Sequence, residues 1–416
     1  MINTLQKNRI PLIATSILVL CLLLAWVNFQ FSSINPGGAD FLINWTATRS
    51  FINEGQSPYS IETSQDIQAA ISSQGIQSDG TLPKFSLPLY GMLVYSPFAL
   101  VKNFILARAL WMTVLEVSLI AIIILSIQLT YWKISPILIT ALFLFGIFGL
   151  HGILPLLNGN LIILVTLLAL GILIAVRDKK DEVAGLLIAF TTILPVPTGL
   201  LLLFILVWAI FNHRSRIIAW FSGTFFLLVG FSIAVIPNWV VQLLTNIISS
   251  YREIDPGSPG GVLISRWGDV GGRLAIIISV VIGIIILLEW WQVIRGGQKR
   301  FIWTALLTMA IGTWSGIKTS PLNYVILYPA LIVGLELLYE RWKNRATGLI
   351  LVILSTLFLA NWAIFLLTMS ANFQTGVSSF LFLPLPITTI ILLYWSKWWI
   401  DKSSTVEIKP TLIDLK

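Results

Sequence analysis

Cysteine, histidine and charge are all scarce in this chain. The single cysteine, Cys21, excludes any disulfide within it. Cys21 lies inside an apolar run and reads as a small packing residue. There are two histidines, His151 and His213, and no His, Cys, Asp or Glu cluster has metal-ligand spacing. No metal and no cofactor is therefore expected. An Asp-x-Asp pair and a glycine-rich phosphate loop are also missing. Charged residues make up 11% of the 416 residues, against roughly 25% in ordinary soluble domains. No internal repeat at a fixed period is visible.

Apolar residues fill the gap, at 57% of the chain. Runs near the length of a bilayer crossing recur, and in hydrocarbon such runs are helices. The pattern predicts an all-α polytopic membrane protein of about twelve transmembrane helices. The expected spans are 10–31, 105–131, 134–151, 160–176, 183–195, 199–211, 217–236, 274–294, 301–317, 322–339, 347–370 and 377–396. The segment "LPVPTG", Leu194 to Gly199, predicts a tight outer turn or a re-entrant pair, because its prolines forbid a continuous helix. The first span has a basic start without a small-residue cleavage site, so a retained anchor is expected.

A net charge of +8 suggests nucleic acid, but the placement of charge excludes it. Lys7 and Arg9, Lys133, Arg177 with Lys179 and Lys180, Arg214 and Arg216 fall in alternate short loops. So do Arg295 with Lys299 and Arg300, Arg341 with Lys343 and Arg345, and the tail lysines Lys397, Lys402, Lys409 and Lys416. By the positive-inside rule these loops and both termini face the cytoplasm. One transmembrane domain, 1–396, and a cytoplasmic tail, 397–416, follow. Membrane lipids are the expected surroundings.

On the other side lie two long segments, 32–104 and 237–273, and short ones at 152–159 and 318–321. Long loops in compact domains are usually functional or disordered. In the first, Asp40, Asn44 and Thr48 recur at helical spacing, with Leu42, Trp45 and Ile52 on another face. Gly55 suits the end of that helix. The segment predicts a short amphipathic helix lying at the membrane surface, with a carboxylate at its start. Asp40 there suits a helix cap or a catalytic role, and one residue can serve both.

The stretches "DFLINWTATRSFINEGQSPYS", "FSLPLYGMLVYSPFALV" and "ARALW" resemble the opening of glycosyltransferase family 87. "NGNLIILVTLLALGILI" and "VAGLLIAFTTILPVPTGLLLLFILVWAIFNHRSR" are similar to its central region, and "TSPLNYVILYPALIV" to a late segment. The family holds polyprenyl-phosphate-mannose-dependent mannosyltransferases of the GT-C membrane superfamily. Two positions differ from its pattern. Leu194 stands where a lysine precedes the first proline, and Asn323 and Tyr324 follow Ser320-Pro321-Leu322 where the mannosyltransferase branch has histidines.

The resemblance implies a GT-C-like fold and transfer of a sugar, with mannose as the family's example, from a polyprenyl phosphate. The acceptor would be a hydroxyl of a glycolipid or glycan on the extracytoplasmic face of a prokaryotic plasma membrane. The lack of an Asp-x-Asp pair fits this better than a nucleotide-sugar donor. Phosphate leaves readily, so one carboxylate within ~2.6–3.2 Å of the attacking hydroxyl suffices, whereas a glycosidase flanks the bond with two. Asp40 is the expected base and Asp269, in "SRWGDVGGR", the runner-up. That second segment reads as a solvated loop or as a gate over the donor.

Lys318, Arg266, Arg49 and Arg273 are the candidates for the donor phosphate. Asn44, Tyr59, His151, Asn158, Asn160 and Asn323 are those for sugar or acceptor. Each has a plainer reading: snorkelling for the cations, interfacial belt for tyrosine, a bonded structural role for His151. Glu116, in mid-span, reads as protonated or bonded between helices. A transporter or a noncatalytic scaffold also accounts for the spans, but polar groups gather outside the midplane rather than at it.

Overall fold

The computed structural model describes residues 2–76, 82–251, 259–294, 297–313, 320–370, 381 and 383–403. All regular structure among them is helical. The order is α1 (Ile2–Ile34), α2 (Ala39–Glu54), α3 (Ile61–Ser73), a 3-10 turn (Leu89–Gly91), α4 (Met92–Ala99), α5 (Phe104–Leu129), α6 (Pro136–Phe148) and α7 (Leu150–Asn158). Then come α8 (Ile162–Arg177), α9 (Asp181–Thr191), α10 (Pro195–Phe211), α11 (Ser215–Val235) and α12 (Trp239–Tyr251). The last are α13 (Pro259–Val293), α14 (Gln298–Gly312), a 3-10 segment (Pro321–Leu327), α15 (Tyr328–Trp342), α16 (Asn344–Ser370) and α17 (Pro384–Ser403).

Six helical stretches among the described residues are long and apolar enough to cross a membrane. They are Thr15–Ile34, Phe104–Leu129, Ser215–Val235, Arg266–Val293, Leu322–Trp342 and Arg345–Leu367. The pair α6 and α7, bent by 41°, makes a seventh if counted as one span. The chain is a polytopic membrane protein. A helix stands at each of the twelve expected positions, but α8, α9, α10 and α14 have 16, 11, 17 and 15 residues. A straight crossing takes about 20. Prolines account for one such shortening. The break falls at 192–194, ahead of the turn expected at Leu194 to Gly199: the chain leaves α9 at Thr191, and Pro195 to Gly199 open α10, where the N–H groups missing from Pro195 and Pro197 cost nothing.

Two compact units are present. The first comprises Met1–Ser118, Leu154–Ile163 and Val229–Ser250. In it α1 shows a broad apolar face, Ile17 to Leu23 and Trp26, as a lipid-facing helix should. The expected outer loop 32–104 is here largely helical, and α2 is its centre. Contrary to the expectation of a surface-lying helix, α2 buries Phe41, Leu42, Trp45, Thr46, Ala47, Thr48 and Ser50 and packs on α3 and α4. Aromatic volume explains this. Phe41 stacks on Trp111 with ring centroids 5.6 Å apart, and Tyr95, Phe98 and Phe104 close the cluster. Gly55 ends α2 in the left-handed conformation, as its place in the sequence suggests. Glu116 accepts from Asn28 Nδ2 at 2.9 Å, the bond between helices that its mid-span position called for.

The second unit comprises Leu119–Ile153, Leu164–Leu228 and Tyr251–Lys416. Its core is α14, buried from Phe301 to Gly312, packed on α10 and α17. Trp303 Nε1 donates to the Leu393 carbonyl at 2.8 Å, and Lys397 pairs with Glu289 at 2.5 Å. The expected outer segment 237–273 is not a loop where it is described. Its described residues are α12, which belongs to the first unit, and in the second unit the first part of α13, kinked at Gly268, whose φ of 52° breaks helical geometry.

Candidate active site

The site grows from the sequence Pro36-Gly37-Gly38-Ala39-Asp40. Gly38, at φ 80°, is the N-cap of α2, and no side chain caps the helix. Asp40 is therefore not the cap; it sits in the first turn, two residues on. Glycine takes the cap because the backbone there is left-handed. Asp40 still gains from the positive end of the helix, and its carboxylate remains available to another partner.

That partner is Asn160. Its Nδ2 donates to Asp40 Oδ2 at 2.8 Å, and its Oδ1 accepts the N–H of Ile162 at 2.8 Å. The amide orientation follows from this pair of bonds. Asn160 thus ties the start of α8 to the start of α2. The turn that carries it is held by Gly159 at φ 70°. A Cβ on Gly159 would stand 2.5 Å from Phe41 Cβ, and its carbonyl accepts from Trp111 Nε1 at 2.9 Å. Only glycine allows the turn to approach so closely.

Asp40 is half-buried by surface, yet its carboxyl lies deep in the protein. Burial raises its pKa above the ordinary 3.8, and the Asn160 bond only partly offsets this. No described ion pair includes it. Tyr95, fully buried, feels the Asp40 charge, and burial first, then that charge, push its hydroxyl pKa well up. A carboxylate of raised basicity is suited to accepting a proton.

Arg108, on the first turns of α5, joins this neighbourhood and was not anticipated. It is 3% exposed, and its Nη1 donates to the Asn35 carbonyl at 2.7 Å. The signal existed: "ARALW" sets an arginine inside an apolar span, where an ionisable residue that does not snorkel is a functional candidate by default. Gly159 was missed as well, since a turn glycine shows its packing role only in three dimensions.

The other candidates fare variously. Asn44 Nδ2 donates to the Asp40 backbone carbonyl at 2.7 Å, one turn from the carboxylate. Arg49 Nη1 donates to the Ala99 carbonyl at 3.2 Å and lies over Trp45, so it closes the end of α4. The Tyr59 hydroxyl donates to the Leu87 carbonyl at 2.8 Å, a packing role. Asn158 is half-buried as the last residue of α7. In the second unit, His151 is buried against the Tyr324 ring at 5.3 Å, and Asn323 is half-buried beside it in sequence. Arg266, Asp269 and Arg273 are exposed on α13 around the Gly268 kink. They ride on a helix and not on the solvated loop expected of them. Lys318 lies outside the described residues.

Residues 85–315 match the model of glycosyltransferase family 87, more than half of the chain. The chain belongs to glycosyltransferase family 87. Comparison with curated proteins and with solved structures finds no match. Family 87 membership makes the protein a membrane glycosyltransferase, as the sequence resemblance implied. The matched segment holds Tyr95, Arg108, Gly159 and Asn160; Asp40 precedes it and meets it through the Asn160 bond.

Proposed function

We propose that this family 87 protein moves a sugar from a polyprenyl phosphate to a hydroxyl of a glycolipid or glycan, with inversion. Mannose is the first donor sugar to test. The reaction takes place on the extracytoplasmic face of a prokaryotic plasma membrane, a side that the distribution of basic loops supports. The acceptor oxygen bonds to the anomeric carbon as the carbon–phosphate oxygen bond breaks. The acceptor proton passes to Asp40, and the phosphate departs with the bonding electron pair.

One observation carries this reading. The Asp40 carboxyl lies deep in a half-buried residue, oriented by Asn160, relieved of capping by Gly38 and in no described ion pair. A carboxylate held only for stability would be expected to cap or to pair. Desolvation makes it a stronger base than a surface aspartate, and the Asn160 bond leaves Oδ1 for the acceptor.

The test supplies the purified protein with polyprenyl-phosphate-linked sugars and a glycolipid acceptor. Transfer with inverted anomeric configuration, slowed by roughly 10²–10⁴-fold in Asp40→Asn, is the expected result. A product of retained configuration would rule out the single-base mechanism.

A further inference from the structure

We propose that Arg108 and the N-terminus of α2 form the subsite for the phosphate of the lipid donor. This rests on the function proposed above and goes beyond it by assigning the leaving-group side of the reaction to named groups.

The first observation is burial without a counterion. Arg108 is 3% exposed and belongs to no ion pair among the described residues. Nη1 reaches the Asn35 carbonyl, but Nε has no hydrogen-bond partner there. Arginine carries five N–H donors and stays charged. A buried, unneutralised guanidinium is costly unless an anion completes it.

The second observation is where it points. A Cβ on Gly37 would lie 2.9 Å from Nη2, and one on Gly38 would lie 2.8 Å from Nε. The guanidinium therefore lies against the two residues that open α2. Gly38 is the N-cap and no side chain caps it; the first helical bond is from Leu42 N–H to the Gly38 carbonyl, at 2.8 Å. The N–H groups of Ala39, Asp40 and Phe41 precede that bond and have no partner within the helix. A helix N-terminus beside an arginine fork is suited to phosphate oxygens.

The third observation is what Arg108 leaves alone. Among the described residues no ion pair joins Arg108 to Asp40. Base and cation stand near the same helix start without neutralising each other. Inversion needs this, because acceptor and leaving phosphate occupy opposite sides of the anomeric carbon. Asn35, Gly37 and Gly38 lie against the guanidinium, so the assignment requires the turn 35–38 to shift when phosphate binds. Its two glycines leave no side chain in the way.

A plainer role exists for Arg108, holding the end of α1 through the Asn35 carbonyl, and the experiment separates the two. Full-length protein in detergent is titrated with polyprenyl phosphate, the product that lacks the sugar, and its melting temperature is measured alongside. Arg108→Gln is expected to weaken binding by about 10–100-fold, the usual worth of hydrogen bonds to a charged group. Arg108→Lys keeps the charge and loses the fork, and is expected to weaken it by less. Neutral polyprenol binds parent and variants alike.

Equal polyprenyl phosphate affinity in the parent and both Arg108 variants, whatever their melting temperatures, overturns the assignment and leaves the proposed function standing. If Arg108→Gln does not fold, Arg108→Lys decides alone: unchanged affinity with unchanged salt dependence overturns it. A parent protein that does not bind polyprenyl phosphate removes the donor class, and this subsite with it. Displacement of the lipid by inorganic phosphate at equal concentration would assign the subsite to the free anion instead.

Discussion

Asn160 and Asp40 lie 120 residues apart in the chain and are joined by a 2.8 Å hydrogen bond. The same amide accepts the N–H of Ile162, so neither end of it is free to turn away. Two helix starts, of α2 and α8, are thereby locked at one carboxylate. The arrangement bears directly on how the protein should respond to substitution.

Asp40→Asn keeps the shape and removes the base. Turnover is expected to fall by roughly 10²–10⁴-fold, the usual worth of a positioned general base. Stability is expected to hold or rise, because a neutral amide at a buried position avoids the desolvation that raises the pKa of Asp40. Transfer assays and thermal melts on one preparation check both. Turnover within a few-fold of the parent would remove Asp40 as the base.

The pH dependence follows from the same shift. The base works as a carboxylate, so kcat/KM should rise with pH through a pKa above the ordinary 3.8. Asn160→Ala removes the bond that lowers this pKa and should move the acid limb to higher pH. For stability the sign is opposite. The folded pKa exceeds the unfolded one, so the contribution of Asp40 is fully present below 3.8 and is lost as pH rises through the folded value. A pH–rate profile and melts across acid pH measure the two limbs; an Asn160→Ala limb at lower pH contradicts the account.

Gly159→Ala should be damaging out of proportion to one methyl group. The new Cβ meets Phe41 Cβ at 2.5 Å and must adopt a φ of 70°. Overpacking and left-handed strain together suggest a loss of about 2–4 kcal/mol. Activity should fall further than stability, because Asn160 is the next residue on the displaced turn. Chemical denaturation and transfer assays report each effect.

The orientation in the membrane can be tested apart from any chemistry. With Cys21→Ser as background, Ser73→Cys lies at an exposed position in the first outer segment and Ser215→Cys at an exposed position in a basic loop. An impermeant thiol reagent added to intact cells should label the first and spare the second. The reverse pattern inverts the topology and places Asp40 in the cytoplasm.

Much of the fold was legible because hydrocarbon admits few solutions. Apolar runs had to be helices, and a helix stands at every position where one was expected. The break before Pro195, the end of α2 at Gly55 and the Asn28 bond to Glu116 follow from local or one-residue chemistry. The span count was less legible, since several apolar helices fall short of a bilayer's thickness. The segment at "SRWGDVGGR" misled because glycine and charge look alike in a loop and in a kinked helix.

The sequence by itself determined that this is a membrane protein, where its charge lies, and that Asp40 opens a helix. Those are properties of composition and of neighbours along the chain. Tertiary structure decided which groups meet that carboxylate. Asn160 reaches it only because Gly159 lets a distant turn press against Phe41, and Arg108 faces Gly37 and Gly38 only because α5 returns to the start of α2. Contacts between residues far apart in the chain depend on packing of whole helices, and no local spacing encodes them.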